Sequence, residues 1–217
     1  MEFVGPKACR TLSTSPHLTR RVRSFSFSFS TTDRNTARRD ISASDVNTYL
    51  VVALRNMTSL RDLKLFKGGN SDIFDGCTFK LETLSGDFTH GESFHTFLNS
   101  QPSLTRVDFL RQHNDFSDFE ATCLPNLTHV TAWFSSLMYL IPGRPVSEVI
   151  ALGLADGGFI GLSLFTLSTS PILKLVIDYF GLYPKSAHLL ASIFPSLTYL
   201  LVVTRTHEVR GPPLLFI

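Results

Sequence analysis

Apolar residues in this chain recur in a fixed frame. Three segments align almost residue for residue: Pro102-Ser103-Leu104-Thr105-Arg106-Val107-Asp108-Phe109, Pro125-Asn126-Leu127-Thr128-His129-Val130-Thr131-Ala132 and Pro195-Ser196-Leu197-Thr198-Tyr199-Leu200-Leu201-Val202. The shared order is proline, Ser or Asn, Leu, Thr, any residue, an aliphatic, any residue, an apolar. Its core, L-x-x-L-x-L, returns at Leu60-Leu63-Leu65, at Leu81-Leu84 with Gly86 in the last slot, at Val149-Leu152-Leu154 and at Ile172-Leu175-Ile177, with an early copy at Val22-Phe25-Phe27. The first positions from residue 60 onward are 60, 81, 104, 127, 149, 172 and 197, so the steps are 21, 23, 23, 22, 23 and 25 residues.

Steps of that size fall in the roughly 20–29-residue range of leucine-rich repeats. Side chains alternate along a strand, so the fourth and sixth positions face one side and the third and fifth the other. The proline two residues ahead of the first Leu disfavours helix in the residue before it and favours an extended start. One such unit cannot cover its apolar face, whereas stacked neighbours can. The predicted fold is therefore an α/β, irregular leucine-rich-repeat solenoid of seven or eight parallel strands. Its parallel sheet lines the concave side, with helices and loops on the convex side.

Helical spacing appears between the strands. Phe94, Phe97 and Leu98 predict a short helix, as do Leu189, Leu190, Ile193 and Phe194. Residues 44–56 predict another through Val46, Leu50, Ala53 and Leu54, capped by Ser42 or Ser44. Residues 111–123 are less periodic and read as loop, as does the polar stretch Thr31 to Asp40. The expected organisation is a flexible basic, Ser/Thr-rich N-terminus over 1–21, the repeats over 22–203, and an irregular tail over 204–217. That tail is apolar where a repeat array needs a polar cap, which points to a truncated or mis-spliced product or to a piece of a longer repeat protein.

Composition changes this picture little. The net charge is +2 with 18% charged residues, too balanced for a general polyanion-binding field. Three scattered cysteines, Cys9, Cys77 and Cys123, suit neither a disulfide framework nor a Cys-based zinc site, and a reducing compartment, cytoplasm or nucleus, is expected. No secretory signal is evident. The basic, Ser/Thr-rich residues 1–32 have the composition of a mitochondrial transit peptide, but Val22, Phe25, Phe27 and Phe29 also read as a strand. The Asn56-Met57-Thr58 and Asn126-Leu127-Thr128 triplets are read as chance glycosylation matches. The most apolar window, Val149 to Leu167, contains Asp156 and Gly157-Gly158 and reads as a strand followed by a helix, so no membrane span is expected.

The segments "FLNSQPSLTRVDF", "LPNLTHVTAWF" and "IPGRPVSEV" resemble the F-box-like leucine-rich-repeat proteins abundant in mushroom-type fungi, over about residues 57–203. The resemblance implies a substrate-recognition region of a ubiquitin-ligase receptor. Its partners would be a ubiquitination substrate and the adaptor of a cullin ligase. Residues 1–56 depart from the family's pattern: they lack the Leu-Pro-x-Glu-type start and the helical segment of an F-box.

Candidate chemistry is sparse. There is no G-x-S-x-G elbow, P-loop or G-x-G-x-x-G. His90 and His95 are five residues apart with no acidic cluster beside them, and Asp115, Asp118 and Glu120 read as a solvated surface. No catalytic, metal or cofactor site is assigned. Arg20-Arg21 with Arg23, and Arg38-Arg39, lack the exposed aromatics that nucleic-acid binding would add. Trp133 is either an exposed anchor or packed in the next turn. The outward strand positions are Asp62 and Lys64, Thr83 and Ser85, Arg106 and Asp108, His129 and Thr131, Ala151 and Gly153, Lys174 and Val176, Tyr199 and Leu201. From these, Asp62, Lys64, Arg106, Asp108, His129, Lys174 and Tyr199 are the candidate protein-binding residues. The function expected is protein–protein interaction without catalysis. Two alternatives are a truncated or vestigial repeat protein with no independent activity, and an enzyme whose site the motifs do not reveal.

Overall fold

Most repeated segments begin with a hydrogen-bonded turn. The Leu60, Leu104, Leu127 and Leu197 amides donate to the carbonyls of Met57, Gln101, Leu124 and Phe194, each three residues earlier. In the last three turns the second residue is Pro102, Pro125 or Pro195, whose locked φ suits that position. The proline therefore builds a β-turn rather than an extended run. The Leu that closes the turn points inward: Leu60 is 1% exposed, and Leu104 and Leu127 are fully buried.

The structure is a computed structural model that describes residues 6–28, 43–69, 71–88, 91–111, 116, 119–120, 122–154, 161–179, 186–204 and 215–216. The chain divides into two units, Met1–Leu104 and Thr105–Ile217. In the first, β1 (Ser24–Ser28), β2 (Asp62–Gly69) and β3 (Thr83–Phe88) pair in parallel and in chain order. Around them lie α1 (Pro6–Thr14), α2 (Pro16–Thr19), α3 (Ala43–Asn56), a 3₁₀ turn (Ser71–Phe74) and α4 (Glu92–Asn99). In the second, β4 (Arg106–Phe109), β5 (His129–Trp133), β6 (Glu148–Leu154), β7 (Lys174–Tyr179) and β8 (Tyr199–Thr204) are likewise parallel and in order. Helix α5 (Phe134–Leu140), a 3₁₀ segment (Gly161–Leu167) and α6 (Ser186–Ile193) fall between these strands. A two-residue β9 (Leu215–Phe216) pairs antiparallel with β8. The chain is thus α/β with parallel sheets, as the periodicity predicts.

Parallel strands start on a shared acceptor. The Arg23 carbonyl takes the amides of Arg61 (2.8 Å) and Asp62 (3.0 Å), and the Arg61 carbonyl takes those of Glu82 and Thr83. In the second unit the carbonyls of Thr105, Thr128, Ser147 and Leu173 accept in the same way from the next strand. The hydroxyl after the first apolar position can add a third donor: Thr128 Oγ1 reaches the Thr105 carbonyl at 3.1 Å and Thr198 Oγ1 the Leu173 carbonyl at 2.9 Å. The recurrent Leu-Thr pair therefore has a geometric role. Leu fills the core and Thr ties the strand start to its neighbour.

The cores are rich in phenylalanine. In the first unit Phe74 stacks on Phe97 (centroids 4.1 Å apart) and meets Phe88 and Phe94, which stack on each other at 5.1 Å. In the second, Phe109 stacks on Phe116 at 5.4 Å, and Phe165 sits between Phe134 and Phe194. Helix α3 buries Val46, Leu50, Ala53 and Leu54, one stripe of its surface. The predicted helices of residues 44–56, of Phe94–Leu98 and of Leu189–Ile193 are α3, α4 and α6; Ser42, one of the two candidate caps, lies outside the described residues, as do Thr31 to Asp40. Among the described residues no helix is long and apolar enough to cross a membrane.

The first 21 residues differ from the expected flexible segment, because α1 packs on α3 and α2 follows it. Ala8, Cys9 and Leu12 form a narrow stripe that the surrounding Ser, Thr and Arg conceal, and Cys9 is fully buried. The tail 204–217, expected to be irregular, includes β9.

Gly86 replaces the last apolar residue of its repeat, with φ +156°, and a Cβ there would land on the Leu65 carbonyl oxygen. Phe88 fills the space instead. Gly86→Leu, which completes the repeat pattern on paper, should lower stability by about 2–4 kcal/mol in chemical denaturation. An unchanged midpoint would refute this account. Burial pushes the Cys9 thiol from its ordinary 9.0 up to about 11. The Cys77 thiol rises to about 12, mainly through burial, with Arg55 lowering it and Asp75 raising it. A raised folded value stabilises the protonated thiol, so this contribution is complete below pH 9 and is lost as pH rises through 11 to 12. Iodoacetamide at about pH 8 should spare both thiols until denaturant is added; rapid labelling of the folded chain would contradict the burial of Cys9 and the raised value of the half-buried Cys77.

Candidate functional site

In the second unit the strand register lines up the outward positions in rows. Arg106, His129, Glu148, Lys174 and Tyr199 occupy neighbouring places on β4 to β8, and Asp108, Thr131, Ile150, Val176 and Leu201 form the next row. The first row is polar and charged. The second changes from polar on β4 and β5 to aliphatic on β6 to β8.

The charged row is internally paired. Glu148 Oε1 lies 3.0 Å from His129 Nε2, and Glu148 Oε2 lies 3.5 Å from Lys174 Nζ. Lys174 Nζ also sits 5.6 Å from the centre of the Tyr199 ring, within cation–π range. The three ion-pair side chains are 32 to 43% exposed, so solvent screens the pairs and their value is mostly orientation. Together with Arg106 and Asp108 they line a shallow depression of about 150 Å³.

His129 is held from both ring nitrogens, because its Nδ1 lies 2.8 Å from Thr128 Oγ1. A neutral ring donates from Nε2 to Glu148 and accepts the Thr128 hydroxyl proton at Nδ1. An imidazolium donates at both ends, and the Thr128 hydroxyl then turns to the Thr105 carbonyl at 3.1 Å. The contact with Glu148 persists in either form.

Five of the sequence-derived candidates, Arg106, Asp108, His129, Lys174 and Tyr199, therefore share one face. Asp62 and Lys64 lie on β2 of the first unit, where Asp62 accepts a hydrogen bond from the Thr83 hydroxyl. On β6 the expected outward pair is wrong. Ala151 is fully buried, and Gly153 has φ +65° in a bulge where β6 carries one residue more than β7. The outward residues are Glu148 and Ile150. Trp133 explains the bulge: it is half-buried, a Cβ at Gly153 would land on its ring, and its Nε1 donates to the Leu110 carbonyl at 2.9 Å.

The frame slips by three residues because the repeat is irregular there. Val146, not Val149, takes the first position, so the steps on either side are 19 and 26 residues. A Pro142-Gly143 turn, closed by the Arg144 amide on the Ile141 carbonyl at 3.2 Å, precedes it. The signal that could have found the frame is Val146-Ser147, which matches the apolar-then-hydroxyl pairs Leu104-Thr105, Leu127-Thr128 and Leu197-Thr198.

Arg144 anchors this irregular start. Its side chain is fully buried and donates from Nε to Cys123 O (2.6 Å), from Nη1 to Tyr139 O (2.8 Å) and Pro142 O (3.1 Å), and from Nη2 to Glu120 O (2.6 Å). Burial lowers its pKa, and Cys123 opposes that shift. The carbonyl dipoles around the C-terminus of α5 compensate the buried charge, and the Phe119 ring lies 5.6 Å from the guanidinium. Arg144 thereby ties the segment before β5 to the start of β6, which carries Glu148. The chain matches no family model, and no curated protein matches it closely enough to count as a relative.

Arg144→Met keeps much of the aliphatic stem but takes the guanidinium from four carbonyls, of which Glu120 O keeps the Cys123 amide. It should cost about 3 kcal/mol and lower the urea midpoint; a loss below ~1 kcal/mol would show that water replaces the guanidinium without penalty.

Proposed function

We propose that this chain is a leucine-rich-repeat module that binds another protein through the open face of its second sheet, without catalysis. The observation that carries the reading is the pair of rows: a charged line centred on Glu148, beside the aliphatic Ile150, Val176 and Leu201. Charges fixed in position orient a partner and reject wrong ones, while a neighbouring apolar patch supplies the area that binding removes from water. The turn-and-strand periodicity, the parallel pairing in chain order and the Phe-rich core support the repeat assignment. The resemblance of residues 57–203 to fungal F-box-like proteins makes the partner a ubiquitination substrate, handled in the cytoplasm or nucleus in company with a cullin-ligase adaptor.

The test is affinity purification of the tagged chain from its own cells beside Val176→Asp, a half-buried outward position. Cullin and adaptor should co-purify with both forms, and the substrate should fall at least tenfold with the variant, for a penalty of about 1.4 kcal/mol or more. Circular dichroism checks that Val176→Asp still folds. Equal recovery of every partner by both forms would reject the open face as the binding surface, and absence of cullin and adaptor would reject the ligase role.

A further inference from the structure

Strand β8 differs from its neighbours in what covers it. Position for position, Val107, Val130, Val149 and Leu175 are 0 to 2% exposed, whereas Leu200, their counterpart on β8, is only half-buried. The same holds one turn earlier, where Leu104, Leu127, Val146 and Ile172 are 0 to 4% exposed and Leu197 is half-buried. Among the described residues, the edge of β8 away from β7 carries only β9, which pairs with Leu200 and Leu201 of a six-residue strand. Beyond the two residues that β9 covers, an edge is normally protected by charge, proline, shortness or a bulge. Tyr199-Leu200-Leu201-Val202-Val203-Thr204 has none of these, and its β-branched and aromatic content is that of a segment primed for strand pairing.

We propose that the β8 edge pairs antiparallel with the β8 edge of a second copy of this chain, displacing β9. The direction comes from β9 itself, which shows that this edge takes an antiparallel partner. The self-pairing also has a register that keeps the faces in phase. With Leu201 opposite Leu201 of the second copy, Leu200 meets Val202 and Tyr199 meets Val203. Core residues then lie beside core residues and outward residues beside outward ones. A two-fold axis through Leu201 makes the contact isologous and closed, so it stops at a dimer. The half-buried Leu200 gains the cover that an internal strand gives its counterparts. Tyr199 and Leu201 belong to the open face as well, but the edge contact is read by mass and the binding role by partner recovery.

The test starts with the sedimentation mass of the full chain at micromolar concentration. The expected value is twice the 24.2 kDa of one chain. Leu201→Lys places two like charges on the axis and should return the mass to 24.2 kDa, as should Leu201→Glu alone. An equal mixture of the two variants should regain the doubled mass, a recovery that misfolding could not produce. A second measurement does not depend on those variants folding. Residues facing each other across an antiparallel pair have Cα atoms about 4.5–5.5 Å apart, within disulfide reach. Leu201→Cys should therefore give an oxidised dimer in high yield, and Val176→Cys, which lies beside Leu201 on β7 and so one strand back from the axis, should not. A wild-type mass of 24.2 kDa up to about 100 µM, or a Leu201→Lys chain that keeps the doubled mass, overturns the proposal.

Discussion

One carbonyl accepting two successive amides from the next strand recurs through both units, at Arg23, Arg61, Thr105, Thr128, Ser147 and Leu173. The bond pair fixes where each strand starts relative to its neighbour. Because side chains alternate, a start displaced by one residue would turn the whole strand inside out. The turn immediately before delivers the first apolar residue to the core, and the hydroxyl that follows often adds its own bond to the shared acceptor. Everything on the outward face, including the alignment of His129, Glu148 and Lys174, inherits its register from this junction.

The periodicity of short apolar triplets was enough to read the parallel strands and three of the helices, since each rests on residues that are buried for the same geometric reason. It failed where that geometry is set by something other than periodicity. Val149-Leu152-Leu154 satisfies the pattern as well as Val146-Val149-Ala151 does, and spacing favours the former. What decides is tertiary: a tryptophan that needs room above Gly153, and the Pro142-Gly143 turn that sets Val146 in the first position. Glu148 was lost with that slip. Helix α1 is not legible in the sequence because its stripe is only Ala8, Cys9 and Leu12 wide, and it depends on α3 rather than on its own propensity.

Arg144 was invisible for a different reason. A single arginine between two prolines reads as surface charge, and burial of such a group is stable only if several acceptors converge on it. Here four carbonyls from Glu120, Cys123, Tyr139 and Pro142 do so. The irregular repeat is thus held by a polar centre where the regular ones use turns closed by leucine. Its neighbour two repeats earlier uses Gln101 in a related way: the Leu81 amide donates to Gln101 Oε1 at 2.8 Å, and Gln101 Nε2 donates to the Phe79 carbonyl at 3.3 Å. A buried polar side chain just ahead of a strand thus serves a regular repeat at Gln101 and an irregular one at Arg144.

The contact between Trp133 and Gly153 has an optical consequence. Trp133 is the chain's one tryptophan, and its ring contacts Gly153 and its Nε1 bonds Leu110, both within Thr105–Ile217. Its emission therefore reports opening of that unit, while Met1–Leu104, with Tyr49 as its single tyrosine, is nearly silent. A fluorescence melting curve speaks for half of the molecule. Coincidence of that curve with the far-ultraviolet dichroism, to which both units contribute, is what would show that the two lose their structure as one cooperative body.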